Sequence, residues 1–109
     1  MNQDIKTRWI AALRSGKYKQ GRDGLKNDDG TFCCLGVLCE VMGIIPDGDQ
    51  YEGEDAFLPK SIMEATGLTN DASLADDVAF RDSARYSLVE LNDAGADFNF
   101  IADVIEKQL

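Results

Sequence analysis

The three cysteines of the chain, Cys33, Cys34 and Cys39, are the first candidates for chemistry because they lie within seven residues of one another. Thiolates are preferred zinc ligands, but a closed zinc site takes four ligands and this chain has no histidine to complete the set. In a helix the three side chains would also point in different directions. We therefore predict no metal site and interpret the cysteines as small apolar core residues. Their odd number and close spacing also favour a reducing compartment over a secreted disulfide scaffold.

The absence of histidine also narrows the enzymatic options, since it removes the usual general base and every triad that needs an imidazole. Catalysis would have to rely on carboxylates, Lys, Tyr or Cys. Twenty acidic residues in 109 place some carboxylates together by chance, so their proximity is weak evidence for a catalytic pair. We predict no catalytic residues and no cofactor. A thiol or metal-dependent enzyme is only the third hypothesis.

An acidic segment over residues 47–55 carries five carboxylates, namely Asp47, Asp49, Glu52, Glu54 and Asp55. It differs from a calcium-binding EF-hand loop, because Glu52 occupies the sixth position, where Gly is required, and Leu58 occupies the twelfth, where Glu is required. The segment is either a solvated loop or a surface that meets a basic patch on a partner protein, where complementary charge raises the association rate and selects the partner. Binding to a partner protein through these five acids is our leading hypothesis.

A basic segment precedes the cysteines and contains Lys17, Tyr18, Lys19 and Arg22 among glycines. Cations beside an aromatic ring are suited to hold a phosphate or a nucleotide base, although no phosphate-binding fingerprint is present. The alternative interpretations are a solvated surface and an intramolecular partner for the acidic segment. A small-ligand binder that sequesters a nucleotide-like signal through these four residues is the second hypothesis.

Charge is unevenly distributed along the chain, whose formal net charge is -9. Residues 1–45 carry seven basic and five acidic side chains, whereas residues 46–109 carry four basic and fifteen acidic ones. This balance argues against direct binding of nucleic acid, whose phosphates require clustered Lys and Arg. The two C-terminal helical segments resemble part of a helix-turn-helix, but Asp103 and Glu106 face only Lys107 there, which argues against DNA reading.

Four helical segments are predicted. Ile5, Trp9 and Leu13 recur at helical spacing over residues 4–14, and the apolar run over residues 32–43 is interpreted as a buried helix, with a buried strand as the alternative. Its predicted inner face consists of Leu35, Leu38, Cys39 and Met42. A short helix over residues 60–65 should begin next to Pro59 and end at Gly67. The C-terminal region contributes the fourth segment, in two parts.

The first part begins at Ser87, which together with Glu90 has the spacing of a capping box and should start a short helix that runs to about Asn92. A turn over residues 93–96 follows. Asp97 should then cap the second part, a last helix whose buried stripe consists of Phe98, Ile101, Val104 and Ile105.

Strand signals are weaker. Short strands are predicted among the turn residues of 17–32 and near residues 78–80. The predicted fold class is α+β, a compact helix-rich single domain over residues 1–109 with a small sheet or hairpin, and a mainly α fold is the alternative. No apolar run is long enough for a membrane span, and the N-terminus has no signal-peptide pattern, so we expect no membrane partner.

Two sequence blocks resemble small proteins encoded by tailed bacteriophages and prophages. The first block is WIAALRSGKYKQ at residues 9–20, followed by FCCLGVLC at residues 32–39; the second is LNDAG at residues 91–95, followed by Phe98 and IADVIE at residues 101–106. The quoted residues make up 32 of the 109 in the chain, and the resemblance implies a setting in the cytoplasm of an infected bacterial host cell. In that setting it implies an accessory protein that binds and inhibits a host protein, for example a nucleic-acid-targeting defence complex, or sequesters a signalling nucleotide. The sequence leaves a homo-oligomer open.

Overall fold

The computed structural model describes residues 1–109 and contains five helices and one two-stranded antiparallel sheet. The predicted α+β class is confirmed. In chain order the elements are α1 (Gln3–Arg14), α2 (Cys34–Val41), α3 (Lys60–Thr66), β1 (Ser73–Phe80), β2 (Ser83–Ser87), α4 (Leu88–Asp93) and α5 (Phe98–Gln108).

Side-chain caps define where α1, α4 and α5 begin. The side chain of Asn2 accepts a hydrogen bond from the backbone N–H of Ile5, and Asp4 lies in the first turn of α1. Ser87 accepts from the N–H of Glu90, and Asp97 accepts from the N–H of Phe100. The predicted caps of α4 and α5 are therefore confirmed, since each satisfies a backbone donor that lacks an intrahelical partner.

The α3 helix begins at Lys60, as predicted, and ends at Thr66, one residue later than predicted. Pro59 is the cap residue of α3 and not its first helical residue. Gly67 ends the helix with φ +78°, a left-handed conformation that glycine adopts without steric cost.

The sheet is a hairpin in which β1 pairs with β2 from Phe80↔Ser83 to Ser73↔Ser87, with an irregular register between residues 73 and 78. Its two-residue connection, Arg81-Asp82, has φ of +52° and +60°, as a type I′ turn requires. The sequence predicted only the end of β1 and missed β2. The weak strands predicted within residues 17–32 are wrong: only isolated bridges of Phe32 with Gln20 and with Lys26 form there.

The core is one contiguous cluster of 23 buried hydrophobic residues that runs from Ile5 to Ile105 along the chain. The predicted stripe of α5 is buried as expected. The prediction of a helix for the apolar run is confirmed by α2. This helix contacts α1 and α4, and its first six residues, Cys34 to Cys39, are all buried. The prediction of a single inner face is wrong, because this helix is surrounded by protein over most of its circumference.

Candidate functional site

The acidic loop, residues 47–55, consists of two tight turns in succession. Asp47 and Gln50 exchange backbone hydrogen bonds of 2.8 and 3.1 Å, and Tyr51 and Glu54 repeat the arrangement with the same distances. Gly48 has φ +64° in the first turn, and Glu52 and Gly53 have φ of +54° and +85° in the second. These left-handed conformations place the loop among compact hairpin turns, which need such φ values at their central residues.

The middle of the loop is anchored by Tyr51, which is completely buried. Its hydroxyl donates a 2.7 Å hydrogen bond to Oε2 of Glu40 in α2. Burial, together with that carboxylate, raises the pKa of the Tyr51 phenol far above its usual value, so the phenol keeps its proton and remains a donor. A second attachment is the backbone N–H of Leu25, which donates to the carbonyl oxygen of Asp55 at 2.8 Å.

The five predicted partner-binding residues of this loop are exposed and make no ion pair with any cation of the chain: Asp47, Asp49, Glu52, Glu54 and Asp55. In particular, none pairs with the basic residues of 14–26, which excludes the interpretation of the basic segment as their intramolecular partner in this structure. Only Glu52 has a side-chain hydrogen bond, which it accepts from the Ser61 hydroxyl at 2.7 Å.

Two exposed hydrophobic side chains flank the acidic loop along the chain. Ile45 is 89% exposed and Phe57 is 43% exposed, and they are two of only three large hydrophobic residues at the surface. Residues 45–57 therefore carry both unpaired carboxylates and two exposed apolar side chains. Their backbone is attached to the core through Tyr51 and Asp55.

The four residues predicted to bind a small ligand do not form one compact group. Lys17 lies over the ring of Tyr18, with its Nζ atom 5.4 Å from the ring centroid, and Tyr18 packs edge to face on Phe32. Lys19 interacts electrostatically with Asp29. Hydrogen bonds from Thr31 lower the pKa of Asp29, and the positive charge of Lys19 lowers it further. Arg22 belongs to a separate polar cleft.

That cleft has a volume of about 200 Å³ and is lined only by polar residues and glycines, namely Gln20, Gly21, Arg22, Asn92 and Gly95. Its floor is the side chain of Asn92, which is 1% exposed. The Oδ1 atom of Asn92 accepts from Nε2 of Gln20 at 2.9 Å and from the backbone N–H of Cys34 at 3.2 Å. Its Nδ2 atom donates to the carbonyl of Gly21 at 2.9 Å, so α2, α4 and the basic segment meet at one amide.

Arg81, in the hairpin turn, approaches Gly95 at the edge of this cleft without lining it. A side-chain carbon on Gly95 would lie 2.9 Å from Nη2 of Arg22 and 3.4 Å from Nη2 of Arg81. Two guanidinium groups thus converge on Gly95. Sequence reasoning missed Arg81 and Asn92, since they are separated from Arg22 by more than fifty residues and no motif connects them.

The cysteine cluster is part of the core. Cys33, Cys34 and Cys39 are buried and free. Burial raises the pKa of the Cys33 thiol to about 11 and that of Cys39 to about 12, and that of Cys34 is also raised strongly. These thiols remain protonated near neutral pH, whereas reactive thiols have a lowered pKa and solvent access.

Side chains of His, Cys, Asp and Glu do not form any group of three or more with an arrangement suited to a metal ion. No helix combines the length and apolar character needed to cross a bilayer.

Comparison with known proteins identifies a family for this chain. Neither the curated proteins nor the solved structures with which the chain was compared match it significantly. The model of a family described as a domain of unknown function (DUF8296) matches residues 1–109, which is the whole length of the chain. The chain therefore belongs to the DUF8296 family.

Proposed function

We propose that this protein is a phage-encoded accessory protein that binds a basic surface on a host protein through the acidic loop, and that it thereby inhibits a host complex such as a nucleic-acid-targeting defence complex. The observation that supports the proposal is the exposure of all five loop carboxylates without a single cationic partner in the chain. The phage setting, with the cytoplasm of the bacterial host as the location, is what the resemblance of the sequence blocks around Trp9 and Asn92 implies.

The acidic loop has the features of a protein interface. Exposed apolar side chains supply most of the binding free energy in such interfaces, and Ile45 and Phe57 are available for that role. The loop carboxylates would steer a basic partner and reject acidic ones. The Lys and Arg side chains of a nucleic-acid-binding protein normally contact phosphates. An acidic surface that binds these side chains would compete directly with nucleic acid for them.

The loop is also pre-organised for binding. Its two turns are closed by backbone hydrogen bonds, and its centre is held by the buried Tyr51. A partner would therefore bind a loop that is already ordered, which reduces the entropy lost on association.

The test compares two variants with the same change in net charge. The loop variant replaces Asp47→Asn, Asp49→Asn, Glu54→Gln and Asp55→Asn, and it keeps Glu52 because that side chain bonds Ser61. The control variant replaces four other exposed acids, Asp28→Asn, Asp76→Asn, Asp77→Asn and Asp82→Asn. Tagged wild-type protein and both variants are used to capture proteins from a bacterial lysate at low and moderate salt, with quantitative mass spectrometry of the retained proteins.

We expect a host protein that is retained by the wild type and by the control variant but lost from the loop variant. Ile45→Ala with Phe57→Ala should weaken the same capture. Equal retention by the wild type and the loop variant, or no retained protein at either salt concentration, contradicts the proposal.

A further inference from the structure

We propose that Arg22 and Arg81 form a binding site for a phosphate group in the polar cleft beside Gly95. This site is independent of the acidic loop and involves none of its residues. The first observation is the convergence of the two side chains: Nη2 of Arg22 and both Nε and Nη2 of Arg81 lie within 3.6 Å of the position that a Gly95 side-chain carbon would take.

Neither guanidinium has a counter-ion within the protein. The four ion pairs of the chain use Arg8, Arg14 and Lys60, and no carboxylate lies within 4.0 Å of Arg22 or Arg81. Their guanidinium groups also donate no hydrogen bond to any protein acceptor, although the chain contains twenty acids. Two like charges held close together repel each other. An oxyanion bound between them would attract both and offset that repulsion.

Gly95 allows both arginines to approach its backbone closely. This residue has φ +99° and no side chain, and a Cβ atom there would be only 2.9 Å from Arg22. The cleft has room for a small group and offers it no hydrophobic contact. Such a lining favours a small, strongly polar ligand over an apolar one.

Both arginines are attached to ordered parts of the fold. The carbonyl oxygen of Arg22 accepts a 3.1 Å hydrogen bond from Nδ2 of Asn27, and the next segment is fixed to α4 because the N–H of Asp23 donates to Oδ1 of Asp93 at 3.2 Å. Arg81 lies in the tight hairpin turn, with its guanidinium carbon 5.5 Å from the centroid of the Phe80 ring. The Phe80 ring packs in turn on Phe100 of α5 at 5.3 Å.

Phosphate is the oxyanion that fits this donor set. A guanidinium presents a planar fork that binds two phosphate oxygens at once, and two forks from different directions can share the oxygens of one tetrahedral group. A carboxylate has only two oxygens in one plane, so it offers fewer acceptor positions to two forks that approach from different directions. The ligand is either free inorganic phosphate or the phosphate of a nucleotide, and the two sources share this chemistry.

Isothermal titration calorimetry with inorganic phosphate, AMP and ATP tests the site, and acetate serves as the carboxylate probe. We expect a dissociation constant below about 1 mM for at least one phosphate compound and no measurable binding of acetate. Arg22→Gln and Arg81→Gln should each weaken binding at least about tenfold, since each removes charge-assisted hydrogen bonds. Arg8→Gln removes the same charge from α1, where Arg8 pairs with Asp4, and should leave the affinity unchanged.

The variants also separate this site from the basic segment. Lys17→Gln and Lys19→Gln should change the affinity much less than Arg22→Gln, because Lys17 lies over the Tyr18 ring and neither lysine lines the cleft. Tighter binding of AMP or ATP than of inorganic phosphate identifies a nucleotide as the ligand, and equal binding identifies free phosphate. Absence of binding by all three phosphate compounds, equal binding of acetate, or unchanged affinity in both arginine variants overturns the proposal.

Discussion

At the scale of single residues, the buried side chain of Asn92 connects three parts of the fold, because it forms hydrogen bonds with Gln20, Gly21 and Cys34. Its Oδ1 atom accepts from the backbone N–H of Cys34, which is the first residue of α2 and has no intrahelical partner for that donor. Cys33, the cap residue of α2, provides no side-chain cap. A residue 58 positions away in the sequence therefore performs the capping function that a neighbouring Ser or Asp performs in α4 and α5.

Replacement of Asn92 by alanine should destabilise the protein by about 2–4 kcal/mol, because it leaves buried backbone groups of Cys34 and Gly21 without partners. The free energy of unfolding measured in urea checks this value. Asn99→Ala is the control, since Asn99 is exposed on α5 and should change stability by less than about 0.5 kcal/mol. A loss in Asn92→Ala as small as that of the control would show that the amide network contributes little.

At the scale of elements, the close packing of α2 against the basic segment depends on Gly36. A Cβ atom at this position would lie 1.7 Å from the carbonyl oxygen of Leu25. The N–H of Leu25 bonds to Asp55, so the same stretch of backbone connects α2 to the acidic loop. Residues 24–26 cannot move away from the helix without disturbing that connection.

Gly36→Ala should therefore destabilise the protein by more than about 2 kcal/mol through overpacking. Helix propensity alone predicts the opposite sign, a gain of about 1 kcal/mol for alanine over glycine within a helix. Urea unfolding decides between the two, and Ala11→Gly on the exposed side of α1 measures the propensity effect separately. A stability equal to or above that of the wild type would contradict the close approach of Leu25.

At the scale of the whole molecule, the net charge of -9 is poorly compensated by ion pairs. Only four pairs form, and all of them lie at the surface. Pairs of this kind stabilise little, whereas repulsion among many unpaired carboxylates opposes the compact state. Repulsion between the carboxylates therefore lowers the free energy of unfolding of this protein at low ionic strength.

Added NaCl should raise the melting temperature of the protein by at least about 4 °C between low salt and 0.2 M (roughly 1 kcal/mol for a domain of this size), because it screens this repulsion. Thermal unfolding followed by circular dichroism is the measurement. The four-amide loop variant described above should respond less to salt, since four of the unpaired charges are removed. A melting temperature that is constant or falls with salt would exclude repulsion as a significant term.

The sequence by itself determined the elements whose signals are local. The periodicity of Ile5, Trp9 and Leu13, the caps at Ser87 and Asp97, and the stop at Gly67 each depend on residues within a few positions of one another, and the structure contains all of these features. The α+β class followed from these helices together with the strand predicted near residues 78–80. The exposure of the five loop acids was also expected from their charge alone.

Only the tertiary structure decided what depends on residues far apart in the chain. The hairpin partner β2, the capping of α2 by Asn92 and the convergence of Arg22 with Arg81 all join positions whose separation is set by packing. No local pattern encodes such distances, because they follow from how the helices bury their apolar faces against one another. The burial of the three cysteines, by contrast, was expected from the sequence, whereas the polar cleft formed where no motif had indicated it.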